Sequence, residues 1–587
     1  MAKHRYAGAP RRILLLWTAF VAAFSLIGLA LVKIQVISAP TLAAQGLAVR
    51  THQSQLPAQR GDIVDANGNV LATSVETKHI AVNQVAIKQA HVFGGEEDAE
   101  GNRTEIGIGP AAAAQVLAPI LGQDEAELGG KMVGDSTYVY LAKDVPLPKW
   151  REIRALGIYG IEWENSYQRV YPNGALAASV IGTINSEGDG TSGLELVEND
   201  SLVGVPGEQA YEIGATGEVI PGGKSVVEAA KDGATVHTSL RMDLQYSVEE
   251  ALNEAVKKYG ADWGSVVIEE VSTGRILVLA DSGNTEITAV PQTSRIAQYA
   301  VEPGSVGKIV TVTSALEHGT VTPTTPIDTP YQMTTDNGQQ FRDSHEHPDY
   351  TRTVTGVLAE SSNTGAIRIG QTVSDEQRYD LYQRLGFGET TGIELPGESG
   401  GILAHWENWD GAQRYTTMFG QGYALTQLQQ ANFMATIANG GVAQRPHLVD
   451  GITRADGTYE ETKKEPPRQV VDPDVAHEVV KILESTMSDE IGTGASFAVE
   501  GYRIGAKTGT AEIIEDGQYM GTATAVLGVV PVDQPTLAVS VLLYRPRTSI
   551  WAFDTAGPLF HNVVSDAVRS LGIPVSTTPP ELYPTTP

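Results

Sequence analysis

The 587-residue sequence contains no cysteine. That absence excludes a disulfide framework, a thiolate metal site and a cysteine nucleophile, so covalent catalysis must use another side chain. Basic charge is also scarce: 41 Lys and Arg face 70 Asp and Glu, a formal net charge of -29. Such a balance argues against a broad nucleic-acid surface and mainly serves solubility. No internal repeat of solenoid period is visible, and no repeat module is added at the C-terminal end. What is present, 41% hydrophobic and 19% charged residues, is ordinary globular composition. The length exceeds what one hydrophobic core supports, so two or more domains are expected.

Charge is missing again from Ile13 to Val32. At about 1.5 Å per residue this run reaches roughly 30 Å, enough to cross a hydrocarbon core. Lys3, Arg5, Arg11 and Arg12 precede it without any acid, and basic flanks stay in the cytoplasm. The sequence therefore predicts a cytoplasmic segment at 1–12 and a single transmembrane helix at 13–37 in the cell membrane, with the C-terminal domains extracytoplasmic. A cleaved signal peptide would have a shorter apolar core and a small-residue cleavage site, whereas Lys33, Ile34, Gln35 and Val36 follow here.

Residues 38–230 are rich in glycine and short β-type runs, and are read as a first external domain. A second is read at 231–573. Met242 to Tyr259 carries Leu244, Val248, Ala251, Leu252 and Val256 at helical spacing. WGSVVIEEV and RILVLAD flank Ser272-Thr273-Gly274 as a hairpin would. Helix with antiparallel sheet gives an α+β multidomain class. Residues 574–587, Thr- and Pro-rich, cannot build a core and are expected to be a disordered tail.

Three short patterns occur in order: Ser305-Val306-Gly307-Lys308, Ser361-Ser362-Asn363 and Lys507-Thr508-Gly509-Thr510. Any one is weak, and their succession is the signal. Pro303-Gly304 opens an apolar helical segment, placing Ser305 at a helix start with Lys308 one turn on, on the same face. A serine hydroxyl needs a base, and a lysine serves only when neutral. Burial and a second cation, Lys507, would both lower its pKa. Ser361 and Asn363 offer a hydroxyl and an amide to relay a proton and hold substrate. Lys507 to Thr510 follow GYRIGA, which alternates like a strand. An edge strand there could pair with an extended peptide, with Gly509 removing a side chain that would block approach. Lys507, Thr508 and Thr510 would face a terminal carboxylate, and the N–H groups of Ser305 and Thr510 would form an oxyanion hole.

Taken together, these motifs resemble those of class B penicillin-binding proteins. EPGSVGK (302–308) is similar to the nucleophile motif and SSNTG (361–365) to the second, with Ser362 where β-lactamases more often have aspartate. GFGETTGIELPGE (386–398) and MFGQGYALTQLQQANFMATIANGG (418–441) look like the intervening segments. RGDIVDANG (60–68), RVYPNG (169–174) and GLELVENDSLVGVPG (193–207) resemble pedestal motifs, to which only structural roles are carried over. The resemblance implies an elongated β-rich pedestal before a serine β-lactamase-like transpeptidase domain, an antiparallel sheet flanked by helices. It implies D,D-transpeptidation of peptidoglycan stem peptides through Ser305, without a cofactor, and acylation of the same serine by β-lactams. It further implies a partner membrane-embedded glycosyltransferase of the shape, elongation, division and sporulation type, since no such domain precedes the pedestal, and other division proteins. The anchor and its SAPTLAAQ juncture look more like the septal FtsI-type enzyme of actinobacteria than the elongation type.

Asp343, His345, Glu346 and His347 carry metal-capable groups, but without a further spaced ligand zinc is not expected. They read as a loop bordering the cleft. A hydrolase, either a D,D-carboxypeptidase or a β-lactamase, would share acylation, yet nothing resembles the deacylating glutamate segment of class A enzymes. A β-lactam sensor would need cytoplasmic machinery that twelve residues do not provide. A non-enzymatic division scaffold would tolerate loss of Ser305.

Overall fold

The computed structural model describes residues 9–94, 103–212, 225–284, 293–488, 494–515 and 517–587. Lys3 and Arg5 of the expected cytoplasmic segment lie outside the described residues. The chain forms two compact units, Met1–Ala58 with Val205–Lys231, and Gln59–Gly204 with Asp232–Pro587.

In the first unit the helix Ala9–Val32 runs on through a π-helical turn, Lys33–Ile37. By length and composition, Arg11–Ile37 can cross a membrane, and it is the one such span among the described residues. Leu14, Leu16, Trp17 and Phe20 are exposed along it, as lipid-facing side chains would be. The helix Ala39–Arg50 follows. The strands Thr51–Leu56, Gly207–Glu212 and Ser225–Glu228 then make an antiparallel sheet.

The second unit is organised by a five-stranded antiparallel sheet, in the order Ile276–Asp281, Trp263–Glu270, Leu537–Tyr544, Gln518–Val530, Gly505–Glu515. Successive residues of a strand point to opposite faces. Val266 and Ile268 meet Leu244, Val248 and Leu252 of the helix Met242–Tyr259 and Phe560 and Val563 of the helix Ala556–Ser570. Val267 turns the other way, onto Leu428 and Ala431 of the helix Gln427–Ala438. Both faces are covered, so the central strands read as unbroken apolar runs rather than alternation.

Residues 59–204 belong to this same unit. Val236 and His237 pair in parallel with Ile63 and Val64 within a seven-stranded sheet. Leu71, Val180, Leu194 and Leu202 share one core with Leu240, Ile276 and Leu448. The three pedestal segments converge on one buried carboxylate: Arg60 Nε and Arg169 Nε each donate to Glu195 at 2.7 Å, and Glu195 is fully buried. Asn199 and Tyr171 complete the group.

Residues 574–587 depart from the expected disordered tail. They form no helix or strand, yet Glu581 pairs with Lys481 and Tyr583 N donates to Ser485 Oγ. Thr353 donates its hydroxyl to the Pro584 carbonyl at 2.6 Å and its N–H to the Thr585 carbonyl at 3.1 Å. Hydrogen bonds to ready-made surfaces order a segment whose composition builds no core of its own.

Candidate active site

Three elements bring the reactive side chains together. Gly304 adopts φ +55°, a conformation glycine takes without penalty. Its N–H donates to the Gly420 carbonyl at 2.9 Å, and a Cβ on Gly420 would sit 1.7 Å from the Gly304 oxygen. This close approach fixes the 3₁₀ turn Gly304–Gly307, which carries Ser305 and leads into the helix Lys308–Glu317. Ile309, Val310 and Val312 anchor that helix in the core, leaving Lys308 fully buried beneath a partly exposed Ser305.

The second motif sits at a break between two helices. Thr353 caps Val354–Glu360, which ends at Ser361 in the left-handed region. Ser362 then caps Asn363–Gly370 by accepting from Gly365 N. Reversing direction over two residues turns both Ser361 and Asn363 inward. The third motif lies on Gly505–Glu515, the outermost strand of the five-stranded sheet.

Lys308 Nζ stands 2.6 Å from Ser305 Oγ, 2.8 Å from Asn363 Oδ1 and 3.4 Å from Ser361 Oγ. Lys507 Nζ lies 3.0 Å from Ser361 Oγ and 3.1 Å from the Thr508 carbonyl. Burial pushes the Lys308 amine well below its ordinary range, and the Lys507 charge adds to it, against a smaller upward pull from Asp343. Burial alone brings Lys507 down to about 7. An amine whose protonated form is disfavoured, set against a half-exposed hydroxyl with a second amine bridging through a serine, is equipped to activate an oxygen nucleophile.

Ser305, Lys308, Ser361, Asn363 and Lys507 thus meet at one place. Thr508 is buried, its Oγ1 3.4 Å from Lys507 Nζ, while Thr510 is half-buried. A Cβ on Gly304 would lie 2.7 Å from the Thr510 carbonyl oxygen, so the serine turn and the strand are in close contact. Gly509 has a different local reason from the one expected. A Cβ there would meet the Pro303 carbonyl at 2.8 Å and Val306 at 3.0 Å, so the missing side chain lets the strand seat on the serine turn.

One residue of the site was read only as cleft border. Asp343 is 5% exposed and accepts from the main-chain N–H of Asn363 and of Thr364 and from Ser362 Oγ. Two of its partners are main-chain groups some twenty residues on, and no spacing rule in the sequence signals such contacts.

Residues 264–565 match the penicillin binding protein transpeptidase domain, and residues 55–238 the penicillin-binding protein dimerisation domain. The chain belongs to the class B penicillin-binding proteins, serine-type D-Ala-D-Ala transpeptidases. It is 31% identical to penicillin-binding protein PbpB of Mycobacterium tuberculosis, over 93% of this chain and 83% of that protein. It is 30% identical to peptidoglycan D,D-transpeptidase FtsI of Escherichia coli, over 92% and 88%. The crystal structure of penicillin binding protein 3 from M. tuberculosis, complexed with aztreonam, superposes with a TM-score of 0.69 at 25% identity, covering 91% of this chain and all of that one.

Proposed function

We propose that this protein cross-links stem peptides in peptidoglycan at the division septum, with Ser305 as nucleophile and Lys308 as its general base. One observation carries the assignment: a buried amine 2.6 Å from a half-exposed serine hydroxyl. Lys308 takes the Oγ proton as Oγ bonds to the carbonyl carbon of the penultimate D-alanine. The C–N bond to the terminal D-alanine breaks, and the proton passes to the leaving nitrogen through Ser361, which lies between the two lysines. An amine from a neighbouring stem then attacks the acyl-enzyme and frees Ser305. Asn363 Oδ1 holds Lys308 in place. Substrate adds to the open edge of Gly505–Glu515 by main-chain pairing, its carboxylate toward Lys507, Thr508 and Thr510, its developing oxyanion toward the N–H groups of Ser305 and Thr510.

Residues 38–230 serve as pedestal and 231–573 as catalytic domain, anchored by residues 13–37 with residues 1–12 in the cytoplasm. The basic flank and uncharged run support that orientation. The septal role follows the names of the FtsI and PbpB relatives. Glycan polymerisation falls to a membrane glycosyltransferase of the shape, elongation, division and sporulation type, acting with other division proteins. β-Lactams acylate Ser305, as the aztreonam complex of the mycobacterial protein suggests by analogy.

Fluorescent penicillin should label the purified protein at Ser305, located by mass spectrometry, and Ser305→Ala should remain dark. Depletion should give filaments that Ser305→Ala does not rescue. Label retained in the variant removes the catalytic assignment, and rounded cells in place of filaments remove the septal one.

A further inference from the structure

Asp343 touches none of the reacting atoms, yet it holds the second motif from beneath. It lies between the strands Gln340–Arg342 and Tyr350–Thr353. Its Oδ1 accepts the N–H groups of Asn363 and Thr364, the first two residues of the helix Asn363–Gly370. Its Oδ2 accepts from Ser362 Oγ at 2.7 Å and stands 3.0 Å from His347 Nε2. Three consecutive residues of the motif are therefore tied to one carboxylate. The neighbouring Arg342 carbonyl accepts from Asn363 Nδ2 at 3.1 Å, so main chain and side-chain amide are gripped from the same two-residue segment. With Nδ2 held there, Oδ1 is the atom left facing Lys308.

We infer that Asp343 is a positioning residue for transpeptidation, aiming the Asn363 amide at Lys308 and setting the local field in which that amine works, with His347 holding the carboxylate in place. The inference rests on the roles given above to Ser305 and Lys308. Two effects on Lys308 are separable. The hydrogen bonds fix geometry, and so the maximal rate. The negative charge favours the protonated amine, opposing burial and Lys507, and so sets where the amine becomes a base. His347 is the titratable group in hydrogen-bond contact with Asp343. It is packed by Tyr331, His345 and Tyr350 and feels Glu360. Facing Lys308 itself are Lys507 and Asp343.

The test is the rate of penicillin acylation of the detergent-solubilised full chain against pH. Asp343→Asn should cut the maximal rate by about 10- to 100-fold, up to the loss expected when a reacting group is misplaced by about 1 Å. Because the charge is gone, it should also move the acid limb to lower pH. Asp343→Glu keeps the charge but displaces it by one methylene, so it should lower the rate while leaving the limb in place, and it serves if the first variant does not fold. A wild-type rate in either variant, or a slowed Asp343→Asn whose limb has not moved, overturns the inference. The underlying reading fails separately, if the wild-type adduct does not map to Ser305.

Discussion

Lys308 and Lys507 place two amines where water is nearly excluded, and their protonation is linked to both rate and stability. An unfolded lysine holds its proton up to about 10.5, whereas folded Lys507 releases it near 7. Between those values the unfolded chain binds more protons, so stability rises with pH across the window, and the burial cost is fully present below about 7. At most about 1.4 kcal/mol per pH unit comes from one such group. Urea midpoints should therefore climb from pH 7 to pH 9 in the wild type and climb less in Lys507→Met. An equal climb would mean that Lys507 titrates normally. Lys308→Arg replaces the neutral base by a permanent cation, and should slow penicillin acylation by roughly 10²- to 10⁴-fold; because the site is fully buried, the fixed charge should also lower the melting temperature. The Ser305 to Lys308 contact was legible because three residues make one helical turn. Asp343 was not, because two of its partners are main-chain N–H groups that carry no residue identity and a third, Ser362, lies on a distant segment. Gly509 was legible as a glycine requirement but not in its cause, since the Pro303 carbonyl that excludes a Cβ comes from another element.

At the scale of elements, periodicity located what lies in one stretch of chain. The helix Met242–Tyr259 and the hairpin of Trp263–Glu270 with Ile276–Asp281 stand where apolar spacing and a Ser-Thr-Gly turn put them. The strand Gly505–Glu515 occupies an edge, the position that the proposed pairing with a peptide would need. Composition misjudged the tail, because composition reports on cores, whereas residues 576–585 are held by polar contacts. These contacts join two helices: Glu581 and Tyr583 engage the helix Pro473–Ser488, and Pro584 and Thr585 engage Thr353, the cap of the helix that ends at Ser361. A Cβ on Gly356 would lie 2.0 Å from the Thr585 carbonyl, so the tail lies tightly against that helix. Deleting residues 580–587 removes at least five hydrogen bonds or ion pairs, each contributing roughly 0.5–1.5 kcal/mol when buried and less when exposed. Unfolding in urea should show a loss of about 1–3 kcal/mol, and Gly356→Ala should reproduce part of it by pushing the tail off. Unchanged midpoints in both would make the tail a passive appendage.

At the scale of the whole molecule, the helix long and apolar enough to cross a membrane was readable from twenty uncharged residues, and a boundary near residue 230 lies close to the junction of the two matched domains, 55–238 and 264–565. Not readable was that residues 59–204 share one compact unit with those after 231. The reason is topological: the chain leaves that unit at Gly204 and re-enters at Asp232, and Val236 then pairs beside Ile63. Glu195 tests this fused organisation. Its carboxylate neutralises two guanidiniums from distant segments, with Arg169 almost wholly enclosed. Glu195→Ala leaves both charges unpaired, which costs about 3–5 kcal/mol in a buried setting. Because Leu71, Leu194 and Leu202 share their core with Leu240 and Ile276, the loss should not stay among residues 60–202. Hydrogen exchange in Glu195→Ala should quicken together in 60–74, 169–202 and 235–240. The lobe built on Val92, Leu117, Leu128 and Ile153 has its own core and should change less. Faster exchange confined to 60–202, with 235–240 as in the wild type, would mean that the two segments touch without sharing cooperative stability.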